Sequence, residues 1–209
     1  MVNVNTYTAE AKPTDVLEKI FEKQKELMDL YWTKPVGEDI DTLKGSQEIR
    51  RYSKYAVEEL AEAYESYRDH NYVLDIHTHE ELIDSIHFYV EKLLISNLTY
   101  KKILYYLWFW SSEEFWLHVN ACEKDNKESV ETSLWNATYR INIPDNRLRN
   151  KEWKNEQLPT NRDMFYKENA IWFLNYIISL NHLGLDQNLL WEYYSRKNKV
   201  NHFRINSNY

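Results

Sequence analysis

Apolar residues recur at helical spacing in one segment of this chain after another. From Asp15 to Trp32 the stripe is Leu17, Ile20, Phe21, Leu27 and Tyr31. From Gln47 to Arg68 it is Ile49, Tyr52, Ala56, Leu60, Ala63 and Tyr67. From His79 to Ser96 it is Leu82, Ile86, Tyr89, Val90 and Leu93. Steps of three and four residues place side chains on one helix face, whereas a strand alternates by two. The chain also has only 3 Gly and 4 Pro in 209 residues, too few for the many turns of a β fold. The pattern predicts an all-α helical bundle of about six helices, in a single domain over residues 1–209.

Pro13 and Pro35 flank the first helix, and Ser46 is the expected N-cap of the second. A fourth stretch, Thr99 to Ala121, is apolar almost all round through Tyr105, Tyr106, Leu107, Trp108, Phe109, Trp110 and Trp116. Such a helix is buried on several sides or against a partner subunit. Periodicity fades from Glu123 to Arg162, which contains Pro144 and Pro159 and reads as a polar insertion, a lid or a second interface. Helix resumes from Asp163 to Leu183 and stops at Gly184; a last helix starts near Asp186.

The net charge of −7 argues against a nucleic-acid groove, so a polyanion would have to be met through a metal or a local basic patch. Cys122 is the single cysteine, which excludes an intrachain disulfide and suits a reducing compartment. Met1 to Thr14 is polar, and the longest apolar run, Ile103 to Trp110, is too short to span a bilayer. A cytoplasmic protein without membrane or nucleic-acid partners is the expectation.

Two acidic pairs stand out: Glu59 with Glu62, and Glu81 with Asp84. Residues three apart share a helix face. The connection between the two helices is short, so they should run antiparallel and bring both pairs together. Like charges at ~4 Å repel by about 4 kcal/mol at an effective dielectric of ~20. A four-carboxylate cage must therefore take up protons or bind a hard divalent cation such as Mg²⁺ or Mn²⁺. Acidic residues on a helix can also be merely solvated, and Thr78 followed by Glu81 fits a capping box. Gln24 lies in the first apolar stripe, where a buried amide must find partners, either a neighbouring helix or a base edge. Lys197, Asn201 and Arg204 share a face of the last helix, suited to phosphate oxygens or to the helix dipole.

Taken in chain order, Glu59/Glu62, then Glu81/Asp84/His87/Phe88, then Tyr194/Lys197/Asn198/Asn201/Arg204 with Tyr209, the motifs resemble the all-α dimeric dUTPase and dCTPase family, a branch of the MazG-like nucleotide pyrophosphohydrolases. The resemblance implies that Glu59, Glu62, Glu81 and Asp84 bind Mg²⁺. Glu59 and Glu62 would be the catalytic carboxylates, with a glutamate or a metal-bound hydroxide activating water. It implies that Phe88 packs on the base, that His87 lies beside base and sugar, and that Gln24 contacts the base. Lys197, Asn198, Asn201, Arg204 and Tyr209 would hold phosphates. The implied protein is a homodimer that splits a deoxynucleoside triphosphate into monophosphate and pyrophosphate.

The chain departs from the family pattern at Ile205, where Gln is usual, at Asn208 for Gly, and at Leu27 for Asn; no Trp lies between Tyr67 and His77. These positions touch base and phosphate contacts, which leaves uracil against cytosine open. A catalytically silent relative that binds nucleotide or a protein partner is the alternative. A di-iron bundle would need Glu-x-x-His on two helices. Asp84 and His87 resemble one half, but Glu114 and His118 are four apart.

Overall fold

The computed structural model describes residues 8–31, 39–125, 128–156 and 158–207, and among them every regular element is helical. Eight α-helices follow one another: α1 (Val16–Tyr31), α2 (Leu43–Asp69), α3 (Ile76–Ile95), α4 (Tyr100–Leu107), α5 (Ser112–Asp125), α6 (Val130–Asn142), α7 (Arg162–His182) and α8 (Gln187–Asn206). A 3-10 turn covers Ile143–Arg147. The two helices beyond the expected six arise where the fourth stretch divides and where a helix forms inside the polar insertion.

One cluster of buried side chains runs through all eight helices, from Val16 and Ile20 in α1 to Leu190 and Tyr194 in α8. The α2–α3 pair forms the largest helix–helix contact. Its pairings fix the direction. Ser66 meets Thr78, and Tyr55 meets Phe88 with ring centroids 5.3 Å apart. Numbers rise on one helix as they fall on the other, so the two run antiparallel, as expected.

Helix starts differ from the expected ones because the capping residues lie further upstream. α2 begins at Leu43 on an N-cap Thr42, whose hydroxyl accepts from Gly45 N at 3.0 Å. Ser46 is instead buried one turn in. α3 begins at Ile76, where Asp75 Oδ1 accepts from Thr78 N at 2.8 Å. Thr78 is therefore inside the helix, the Thr78–Glu81 capping box does not form, and Glu81 is left for other work.

The fourth stretch is not one helix. Trp108 adopts the left-handed region at φ 60, and Phe109 N closes back on Leu104 O at 3.0 Å. That pattern is a Schellman stop with tryptophan where glycine is usual. Ser111 and Glu114 then restart the chain as α5, Glu114 Oε2 accepting from Trp110 N at 2.7 Å. Much of the aromatic surface is exposed: Tyr105 to 71%, Trp108 to 83% and Trp110 to 92%.

The described residues of the polar insertion are held by packing and hydrogen bonds as well. Lys92, fully buried in α3, donates to Ile141 O at 2.6 Å and pairs with Asp145 at 2.8 Å. Arg50 of α2 donates to the carbonyls of Asn150 and Leu148 at 2.9 and 3.0 Å. Asn150 clasps Leu158 N at 2.8 Å and Asp41 O at 2.7 Å. These bonds satisfy backbone that a helix would otherwise have satisfied internally. Among the described residues no helix is long and apolar enough to cross a membrane.

Candidate functional site

The middle of the α2–α3 pair carries the acidic residues. Carboxylate oxygens of Glu59, Glu62 and Glu81 lie within 4.8 Å of one another. Glu62 is exposed, while Glu59 and Glu81 are half-buried. Burial first, then the charges of Asp84, Glu62 and Glu81, push Glu59 up to about 8. Glu81 is also raised, by burial and Asp84, and relieved in part by Lys197. The bond between Glu59 and Glu81 raises the first and lowers the second, as expected of an acid donating to a carboxylate. Together the three offer a hard-cation donor set of oxygens only.

Asp84 stands apart from that cluster. It is ion-paired with Lys197 of α8, which is itself largely buried. Burial raises Asp84, and Lys197 and Arg204 pull it back. The expected cage of four carboxylates is thus three plus one, with the fourth held by a cation from another helix. Lys197, expected on phosphate, is occupied in the same way.

A cavity of about 390 Å³ opens beside this pair, walled by α1, α2, α3 and α8. It collects Gln24, Glu59, Asp84, His87, Phe88, Lys197, Asn201 and Arg204, eight of the residues expected at the site. The Arg204 guanidinium has no hydrogen-bond or ion-pair partner among the described residues, and its charge acts on Asp84. Asn198 does not line the cavity; it is buried beside Tyr194. Tyr209 lies outside the described residues. Among the described residues, none of the polar insertion lines this cavity.

The deep end of the cavity is a hydrogen-bonded chain. Gln24 Nε2 donates to Glu91 Oε1 at 2.7 Å, and Tyr31 OH donates to the same oxygen. Tyr194 OH donates to Gln24 Oε1 at 2.9 Å, and His87 Nδ1 donates to it too. His87 is stacked on Tyr194 at 4.5 Å, and burial, then Lys197, lowers it to about 3. The ring is neutral. With Nδ1 as donor, Nε2 is an acceptor, and it has no partner among the described residues.

Glu91 and Tyr31 were missed as site residues, although both line the cavity. A signal existed for the first: Glu91 lies seven residues from Asp84 and four from His87, on the same helix face. Burial pushes Glu91 up to about 7, against the two donors that favour its charge. No family model matches the chain, and comparison with curated proteins and with solved structures likewise finds no match.

Proposed function

We propose that the chain is a divalent-cation-dependent hydrolase of a pyrimidine deoxynucleoside triphosphate, converting dUTP or dCTP to its monophosphate and pyrophosphate. One observation carries the reading: a single cavity is lined by carboxylates from α2 and α3, by Lys197 and Arg204 from α8, and by an aromatic side chain, Phe88. A triphosphate needs cationic partners at its oxygens and an activated water. A base needs an apolar face and a few polar groups.

Glu59, Glu62 and Glu81 would hold Mg²⁺ or Mn²⁺, which supplies neutralising charge at the triphosphate when bound. Glu59 releases its proton when the cluster is neutralised. The exposed Glu62 would take the proton of the attacking water, whose oxygen bonds to phosphorus as pyrophosphate leaves. Arg204 and Asn201 receive phosphate oxygens. Lys197, paired with Asp84, would turn to the phosphates, and Asp84 would then be free to join the carboxylates that hold the cation, an exchange that keeps each charge paired. Phe88, backed by Tyr55, supports the base.

The reading extends to a cytoplasmic homodimer, in which the exposed Tyr105, Trp108 and Trp110 supply an apolar face. The test is a panel of dUTP, dCTP, dTTP, dATP and dGTP with Mg²⁺ or Mn²⁺, with nucleotide products separated and pyrophosphate assayed. Selective conversion of dUTP or dCTP to its monophosphate is the expected result. A silent relative that binds nucleotide or a protein partner is the second reading, favoured by the engagement of Lys197 with Asp84. Binding of nucleotide with no turnover of any of the five would replace the first reading with it.

A further inference from the structure

We infer that Glu91 reads the base in this cavity and selects cytosine, a pyrimidine bearing an amino group, over uracil; the inference rests on the nucleotide-hydrolase reading above. The expected reader, Gln24, is fully buried, and its amide is taken up by Glu91, Tyr194 and His87. Gln24 therefore acts from behind, fixing the groups that face the cavity.

Among the described residues, two acceptors there are left without a partner. Both donors to Glu91 use the same oxygen, Oε1, and Oε2 makes no hydrogen bond among the described residues. His87 Nε2 is likewise without a partner. An ionised carboxylate and this imidazole nitrogen can only accept. The deep end of the cavity thus asks its occupant for N–H groups. The 4-amino group of cytosine offers two hydrogens, and carboxylates accept from that amino group in base recognition. Uracil offers one N–H between two carbonyl oxygens, which would face acceptors. Leu27 and Ile205, both on the cavity wall, have no side-chain N–H to offer those carbonyls.

The test compares kcat/KM for dCTP and dUTP at pH 8 with Mg²⁺, in the wild-type chain, Glu91→Gln and Tyr31→Phe. Calorimetric titration with dCMP and dUMP accompanies it. The wild type should prefer dCTP by about tenfold or more. Glu91→Gln, whose amide can donate, should lose or reverse the preference, while Tyr31→Phe, which keeps the carboxylate, should retain it. A wild-type preference for dUTP, or equal use of both, overturns the inference and leaves the hydrolase reading standing. So does a preference that survives in Glu91→Gln. Should Glu91→Gln not fold, the wild-type and Tyr31→Phe preferences decide alone. Glu91-dependent binding of dCMP over dUMP without turnover of any triphosphate supports the base assignment and removes the hydrolase. Neither turnover nor binding of either monophosphate overturns both.

Discussion

Burial and three neighbouring carboxylates push Glu59 from 4.5 to about 8, and burial pushes Glu91 to about 7. In the metal-free chain both hold protons that the unfolded chain has already released. Between pH 4.5 and those values the native state binds more protons, so stability falls as pH rises. His87 works the other way: lowered from 6.5 to about 3, it makes stability fall as pH drops through that window. Two carboxyls outweigh one imidazole above pH 4.5. In EDTA, Tm should therefore decline from about pH 5 to pH 8, and Glu59→Gln should flatten the decline. Thermal scans across pH check this, and a Tm that climbs toward pH 8 in EDTA would contradict the burial argument. Mg²⁺ should raise Tm most at the alkaline end, because it binds the deprotonated cluster.

Glu62 offers a cleaner separation of chemistry from folding. It is exposed, so Glu62→Gln removes repulsion without opening the core and should fold with an unchanged or higher Tm. Its kcat should drop by about 100-fold or more, as expected for loss of a general base. A variant that unfolds as well would mark the cluster as structural. Phe88→Ala should raise KM for the nucleotide about tenfold while leaving the Mg²⁺ dependence unchanged, because the proposed role of this ring is to support the base and it carries no metal ligand.

At the scale of the element, helix ends decide where the side chains land. Four helices stop with a residue in the left-handed region: Asn71 after α2, Asn97 after α3, Trp108 after α4 and Gly184 after α7. Only the last carries the usual glycine signal, which explains why the break between α4 and α5 was not legible. Nothing about Trp108 announces a stop; the apolar pattern runs on through it, and the backbone turns because Leu104 and Tyr105 carbonyls are capped locally. The start of α2 is decided by space. A Cβ on Gly45 would lie 2.1 Å from Asp39 O, a backbone atom that cannot swing aside. Gly45→Ala should destabilise the chain by about 2 kcal/mol or more, read as a lower urea midpoint with unchanged slope. The site should keep its metal affinity in that variant, since Glu59 lies several turns away.

On the scale of the whole molecule, the exposed aromatic face on α4 and the turn after it is the place to test assembly. Tyr105→Asp with Trp110→Asp replaces two exposed rings and should leave the fold intact. On the proposed homodimer reading, sedimentation should then shift from dimer to monomer. An unchanged sedimentation coefficient would place the interface elsewhere, if one forms.

Helical spacing and the shortage of glycine and proline were enough to give an all-α bundle, because burial of a stripe needs only local periodicity. The short α2–α3 connection was enough to make that pair antiparallel, which put Glu59, Glu62 and Glu81 together. Spacing also placed Lys197, Asn201 and Arg204 on one face. What lay beyond the sequence were the contacts between helices distant in the chain. Lys197 closes on Asp84, and Gln24 of α1 meets Glu91 of α3 and Tyr194 of α8. Such pairings depend on how α1, α3 and α8 cross, which side-chain packing sets and no local pattern encodes. The same packing buries Glu91 at the cavity wall and gives both of its donors to one oxygen. Periodicity could show only that Glu91 shares a face with Asp84; the crossing of three helices gave that carboxylate its neighbours.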